Sequence, residues 1–209
     1  MRVRSAPGGG RWVDVAPERL PRWLENFEKR HGPYRKDGLH LVADDGATAD
    51  LEPPIGAPAV PTLDDLVKTE PRRLGLLLAR KGAVAVGVAD GDKLVASKVD
   101  THYVQGRTAA GGWSQQRFAR RRDNQAKAAA AGGAAIVERI LLPEVRALHA
   151  LVCGGDRAAV DAVLAAPVLA PLAALRADRF LDVPEPRHAV LVAAVAQARA
   201  VRIRIDDPA

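Results

Sequence analysis

Residues Arg73–Tyr103 read RLGLLLARKGAVAVGVADGDKLVASKVDTHY. Valines at 84, 86 and 88 alternate with small residues, the two-residue period of a β-strand. Arg73–Arg80 forms a second such segment, centred on Leu74–Leu78, and Leu94–Tyr103 a third. Lys81-Gly82 and Asp90-Gly91-Asp92 stand between them as turns. Three strands joined by two short turns make an antiparallel meander.

Towards the N-terminus the signals alternate. Leu63–Lys68 can hold one or two helical turns, and Pro53, Pro54, Pro58 and Pro61 mark an irregular connection before it. Leu39–Ala43 and Thr48–Leu51 pair as a hairpin about Asp45-Gly46. Leu20, Trp23, Leu24 and Phe27 repeat at three and four residues, so Pro17–Arg30 reads as a helix closed by Gly32-Pro33, with Trp23 and Phe27 facing a core. Arg11–Val15 is a short strand. Residues 1–10, ending in three glycines, read as a flexible tail.

Towards the C-terminus, Ser114 can cap a long helix that Pro143 stops near Leu142. Gly132-Gly133 lies inside it at a cost of about 1 kcal/mol per glycine against alanine; close packing on the sheet or a local break would each account for the pair. His149–Cys153 reads as a strand, Gly154-Gly155 as a turn and Asp156–Leu164 as a helix. Pro167–Leu175 is a further helical segment, Pro186–Ala200 the last long helix and Val201–Ile205 a final strand. The expected fold is α/β, an antiparallel group of strands followed by helix, strand, helices and strand, most simply packed as a mixed sheet with helices on its faces. The expected organisation is the tail 1–10 and one domain over 11–209, with residues 11–62 as its N-terminal elaboration.

The chain has 209 residues, 48% hydrophobic and 27% charged, which suits a soluble domain with a real core. Its single cysteine, Cys153, excludes an intramolecular disulfide framework. His31, His40, His102, His149 and His188 are scattered without paired ligand spacing, so no metal and no cofactor is expected. Met1–Gly10 lacks the apolar core of a signal peptide, and no apolar run reaches the length of a membrane span. A cytoplasmic location follows as an expectation.

Net charge is +6, and its distribution is uneven. Lys98–Lys127 holds seven basic residues (Lys98, Arg107, Arg117, Arg120, Arg121, Arg122, Lys127) against Asp100 and Asp123, and so carries all but one unit of it. Charge focused in one window suits contact with a phosphate backbone.

Within that window lies Gly111-Gly112-Trp113-Ser114-Gln115-Gln116-Arg117. The glycines make a loop tip at which the backbone can approach a ligand closely. Ser114 opens the helix, and Gln115 falls on its first turn beside amides that have no intrahelical partner. Such an end favours phosphate or a developing oxyanion. Behind it Arg117, Arg120, Arg121, Asn124 and Lys127 recur at three and four residues as one stripe. Trp113 can stack on a base or pin the loop. Glutamine is neutral and cannot be a general acid or base; it can orient water or stabilise charge by hydrogen bonds. The nearest titratable groups in sequence, His102 and Asp123, have no obvious partner. Gly154-Gly155-Asp156, between a strand and a helix, reads as a structural turn.

Arg80–Val137 resembles the central catalytic domain of eukaryotic and archaeal class I peptide-chain release factors. It resembles more closely the Vms/ANKZF-like release factors of ribosome quality control and their actinobacterial branch. The carriers are Lys81-Gly82-Ala83-Val84-Ala85-Val86-Gly87, the hairpin to Tyr103, and the Gly-Gly loop with a glutamine opening a basic helix. Class I factors have Gly-Gly-Gln; in the Vms-like group serine precedes the glutamine, and here Trp113-Ser114 separates Gly111-Gly112 from Gln115. The resemblance implies that Gln115 is catalytic, with Gln116 the alternative, supported by Gly111, Gly112 and Ser114. It implies that Arg107, Arg117, Arg120, Arg121, Arg122 and Lys127 bind RNA. It also implies an α/β fold with a mixed, largely antiparallel sheet of about five strands and helices on both faces, and a monomeric hydrolase that enters the peptidyl-transferase centre of the large ribosomal subunit. Peptidyl-tRNA and rRNA would be its partners, and the ribosome or substrate would complete its site. No segment is left over for a codon-reading domain, so stop codons should not be read. Cleavage of the tRNA 3′ end is equally compatible with the resemblance, and a non-catalytic ribosome- or RNA-binding module is the third reading.

Overall fold

The computed structural model describes residues 2–6, 9–57, 62–67, 70–80, 82–101 and 114–208; for residues 2 and 114–123 it describes the backbone alone. The chain forms two compact units, residues 1–71 with 196–209, and residues 72–195.

The first unit holds a six-stranded antiparallel sheet. Its strands are β1 (Arg2–Ser5), β2 (Arg11–Val15), β3 (Tyr34–Asp37), β4 (His40–Ala43), β5 (Thr48–Glu52) and, from the far end of the chain, β10 (Val201–Asp206). Their order is β1-β2-β10-β5-β4-β3. Strand β10 alternates strictly: Val201, Ile203 and Ile205 are buried, while Arg202, Arg204 and Asp206 lie on the other face. Its buried face meets α1 (Leu20–His31), which buries Leu20, Phe27 and His31, and α2 (Leu63–Val67), which buries Leu63 and Leu66. Full burial of a side chain such as Ile203 or Leu41 contributes about 1.5–3 kcal/mol. His31 is the buried polar residue of this core, and its Nδ1 lies 2.8 Å from Asp45 Oδ2.

Residues 1–10, expected as a tail, therefore contain a strand: Val3 pairs with Val13 across β1 and β2. Strand β3 was not expected either. Both strands are mostly charged or polar and acquire their conformation from the neighbour they pair with.

The second unit contains the expected meander, as β6 (Arg73–Arg80), β7 (Ala83–Asp90) and β8 (Lys93–Thr101). Strand β9 (Ala150–Gly155) joins β6 in parallel, giving the order β8-β7-β6-β9. Strands β6, β7 and β9 are buried almost throughout. On one face Leu77, Val84, Val86, Val88, Leu151 and Cys153 meet α3 (Ser114–Leu141) and α4 (Arg157–Leu164). On the other, Gly87 lies under Leu191 of α6 (His188–Arg199). Between α4 and α6 the short α5 (Ala170–Ala173) continues a 3-10 turn at Pro167–Leu169.

The class is thus mixed α/β and predominantly antiparallel. Its strands are divided between sheets of six and four, where about five in one sheet were expected. The division arises at β10, which pairs with β2 and β5 and not with the meander.

Candidate functional site: the projecting end of α3

Helix α3 is continuous for 28 residues, about 42 Å at the usual rise. No break occurs at Gly132-Gly133. Gly133 is instead a point of close packing, where the helix backbone lies against Val84 of β7 and Val163 of α4. From there Ala134, Ile136, Val137 and Leu141 are buried. Leu141 reaches the level of Gly75, near the start of β6.

Between Gly133 and Leu141, therefore, α3 runs from the Val84 end of the sheet to the Gly75 end. Its earlier turns run towards the side of the sheet where Arg80, Ala83 and Thr101 sit side by side in register. Among them Asn124, Ala126, Lys127 and Ala128 are exposed. Gln115 is the second residue of the helix, 18 residues or about 27 Å ahead of Gly133. The later half of α3 packs on the sheet, and ahead of it Asn124 and residues 126–128 are exposed; the earlier half, which bears Gln115, is called the arm below.

Ser114, Gln115, Gln116, Arg117, Arg120, Arg121 and Arg122 all lie on this arm. Their side chains, like that of Asp123, fall outside the description, as do Arg107, Gly111, Gly112, Trp113 and His102 altogether. Lys127, twelve residues after Gln115, is exposed on the same helix.

Cys153, His149 and Asp156 of this unit are committed to structure. Cys153 is fully buried, and burial pushes its thiol up to about 11, so it is no nucleophile near neutral pH. The Nδ1 of His149 accepts the Arg73 amide at 3.2 Å, at the end of β9 opposite Gly155. Asp156 caps α4, its carboxylate accepting the Ala158 amide at 2.9 Å. Gly155 has φ +100°, and a Cβ there would collide with Ala79 O. Gly154-Gly155-Asp156 is accordingly a tight structural turn.

Two arginines not singled out from the sequence, Arg80 and Arg157, line an open cleft of about 680 Å³ beside that turn, together with Glu185. They sit at the side of the sheet towards which the arm runs. The available signal was a basic residue ending one strand and another opening the helix after its parallel neighbour. Among the described residues no helix is long and apolar enough to cross a membrane.

The model of the Actinobacteria/chloroflexi VLRF1 release factor family matches residues 72–204, and the chain belongs to that family. The match begins where the second unit begins and extends into β10. No curated protein matches in sequence. Among solved structures, an archaeal translation termination factor, aRF1, is similar at TM-score 0.42 and 15% identity. That similarity covers 61% of this chain and 36% of the factor, so the chain spans about a third of the factor's length. A structure described as an archaeal protein is similar at TM-score 0.41 and 13% identity, over 90% of this chain and 66% of that one.

Proposed function

We propose that the chain frees nascent peptide from peptidyl-tRNA on stalled ribosomes, by ester hydrolysis and without reading a stop codon. The observation that carries this reading is the form of α3. A glutamine-bearing, basic helical segment begins about 27 Å along the helix ahead of the close contact at Gly133, in a chain that belongs to a release-factor family. An arm of that length can carry a tip into a narrow cavity while the sheet stays outside.

In this reading residues 72–195 are the catalytic domain and Gln115 is the working residue, with Gly111, Gly112 and Ser114 shaping the tip. Arg107, Arg117, Arg120, Arg121, Arg122 and Lys127 track RNA backbone as the arm enters the peptidyl-transferase centre. The partners are peptidyl-tRNA and rRNA, and the protein works as a cytoplasmic monomer in ribosome rescue or quality control. Gln115 holds water or the developing oxyanion through its amide, and proton transfer falls to the substrate or the ribosome.

The test is single-turnover incubation with ribosomes holding stalled peptidyl-tRNA, followed by mapping of the tRNA 3′ end. Free peptide with an intact tRNA terminus is the expected result. A shortened tRNA would replace ester hydrolysis by endonucleolytic cleavage, and binding without either product would reduce the chain to a ribosome-binding module.

A further inference from the structure

In the first unit, α1 does not cover the whole of the sheet face it packs on. Val3 of β1 pairs with Val13 of β2, and Val13 with Ile203 of β10, so these side chains share the face that α1 covers. Val13 is buried, yet Val3, one strand further out, is 53% exposed. The gap between α1 and edge strand β1 is a groove of about 200 Å³. That is less than the roughly 300–1,000 Å³ of sites enclosing larger organic ligands, and it suits one ring system.

The groove is lined by apolar, aromatic and basic groups. Val13, Ile205 and Phe27 line it as buried residues, while Trp23 is half-buried and stacks on Phe27 with ring centroids 5.3 Å apart and planes at 17°. Polar groups come from Asn26, Arg30, Arg11 and His31; Arg11 is paired with Asp207 and His31 with Asp45. Arg30 is exposed and has no ion pair among the described residues. Helix α1 carries Glu25 and Glu28, but it turns Trp23, Asn26, Phe27 and Arg30 to the groove, and no carboxylate lines it.

We propose that this groove takes one unstacked nucleobase of a single-stranded RNA. The base contacts the Trp23–Phe27 stack, the Asn26 amide meets a base edge, and Arg30 meets the adjoining phosphate. Aromatic side chains beside a cation and an amide are how splayed bases of single strands are recognised, and Arg30, unlike Arg11 and His31, has no carboxylate partner among the described residues. An apolar peptide would fill the same volume, but it would not call for an arginine without an ion pair beside the aromatic stack. The inference concerns a unit outside the arm and does not rest on the release reading.

The test uses the full chain with Arg107, Arg117, Arg120, Arg121, Arg122 and Lys127 replaced by alanine, so that the basic residues of the arm and its tip are removed. Fluorescence anisotropy measures its binding to a labelled oligoadenylate of about ten nucleotides and to a duplex RNA of the same length. The expected result is preference for the single strand, weakened about tenfold by Arg30→Glu and by Trp23→Leu. Arg30 is exposed, so Arg30→Glu remains decisive if Trp23→Leu melts early. Failure of the parent to bind, equal binding of the duplex, or an unchanged affinity in Arg30→Glu would overturn the proposal. So would a dimer in sedimentation that Arg30→Glu dissolves, since the groove would then be a contact between two copies.

Discussion

Gly133 on α3 lies against Val84 on β7 so closely that a Cβ at Gly133 would stand 3.2 Å from Val84 Cγ2, and 2.9 Å from Val163 Cγ2 of α4. Neither valine can move aside by rotating a long side chain. Gly133→Leu should therefore lower stability by about 1–3 kcal/mol through overpacking, despite leucine's better helix propensity. The urea midpoint measures this. A midpoint equal to that of the parent would mean that α3 does not press on β7 at this turn.

Asp45 sets an acid limit on the first unit. The Ala47 amide, and then His31, hold its carboxyl below the ordinary value of 3.8. A group whose folded pKa is depressed contributes stability above its unfolded pKa and loses it as pH falls through the folded one. Asp45→Asn should therefore be less stable than the parent from about pH 5 upward, and the gap should close as pH falls below 3.8. Urea midpoints across that range provide the check; a gap that stays constant would assign the effect to packing alone.

These two sites also mark what the sequence can and cannot reveal. The meander was legible because Val84, Val86 and Val88 alternate, and each turn between its strands is local. The length of α3 was legible from Ser114 and Pro143. The partners of β10 were not: its alternation shows which residues are buried, but pairing with β2 and β5 brings together segments about 150–190 residues apart in sequence. Strands β1 and β3 escaped because RVRS and YRKD carry little apolar signal of their own. At the candidate site, the residue types and the helix that bears them were readable. The seating of the helix on the sheet at Gly133 was not, because glycine in a helix is by itself ambiguous between close packing and a break.

The arginines of the arm should act through charge. Replacing Arg117, Arg120 and Arg121 with alanine should weaken ribosome binding and flatten its dependence on salt, lowering the log–log slope by about 2 if each makes one phosphate contact. Binding measured at several salt concentrations tests this. An unchanged slope would show that these residues do not meet RNA.

Gln115 should act on the transition state. Binding by the arginines is common to ground and transition states, whereas an amide at the tip contributes only where charge develops, so the two losses should separate. Gln115→Ala is expected to slow single-turnover release from stalled peptidyl-tRNA roughly a hundredfold, about 3 kcal/mol, with ribosome association almost intact. Gln116→Ala, one position further along α3, should lose much less. The isolated chain should also be poor on small activated esters, because a glutamine supplies no base and Cys153 is buried with its thiol raised to about 11. Measuring release and association for both variants decides among the readings. If Gln116→Ala is inactive and Gln115→Ala active, the register across Trp113-Ser114 is shifted by one. If both remain active, release does not depend on a glutamine at this tip, and the arm is an RNA-binding element alone.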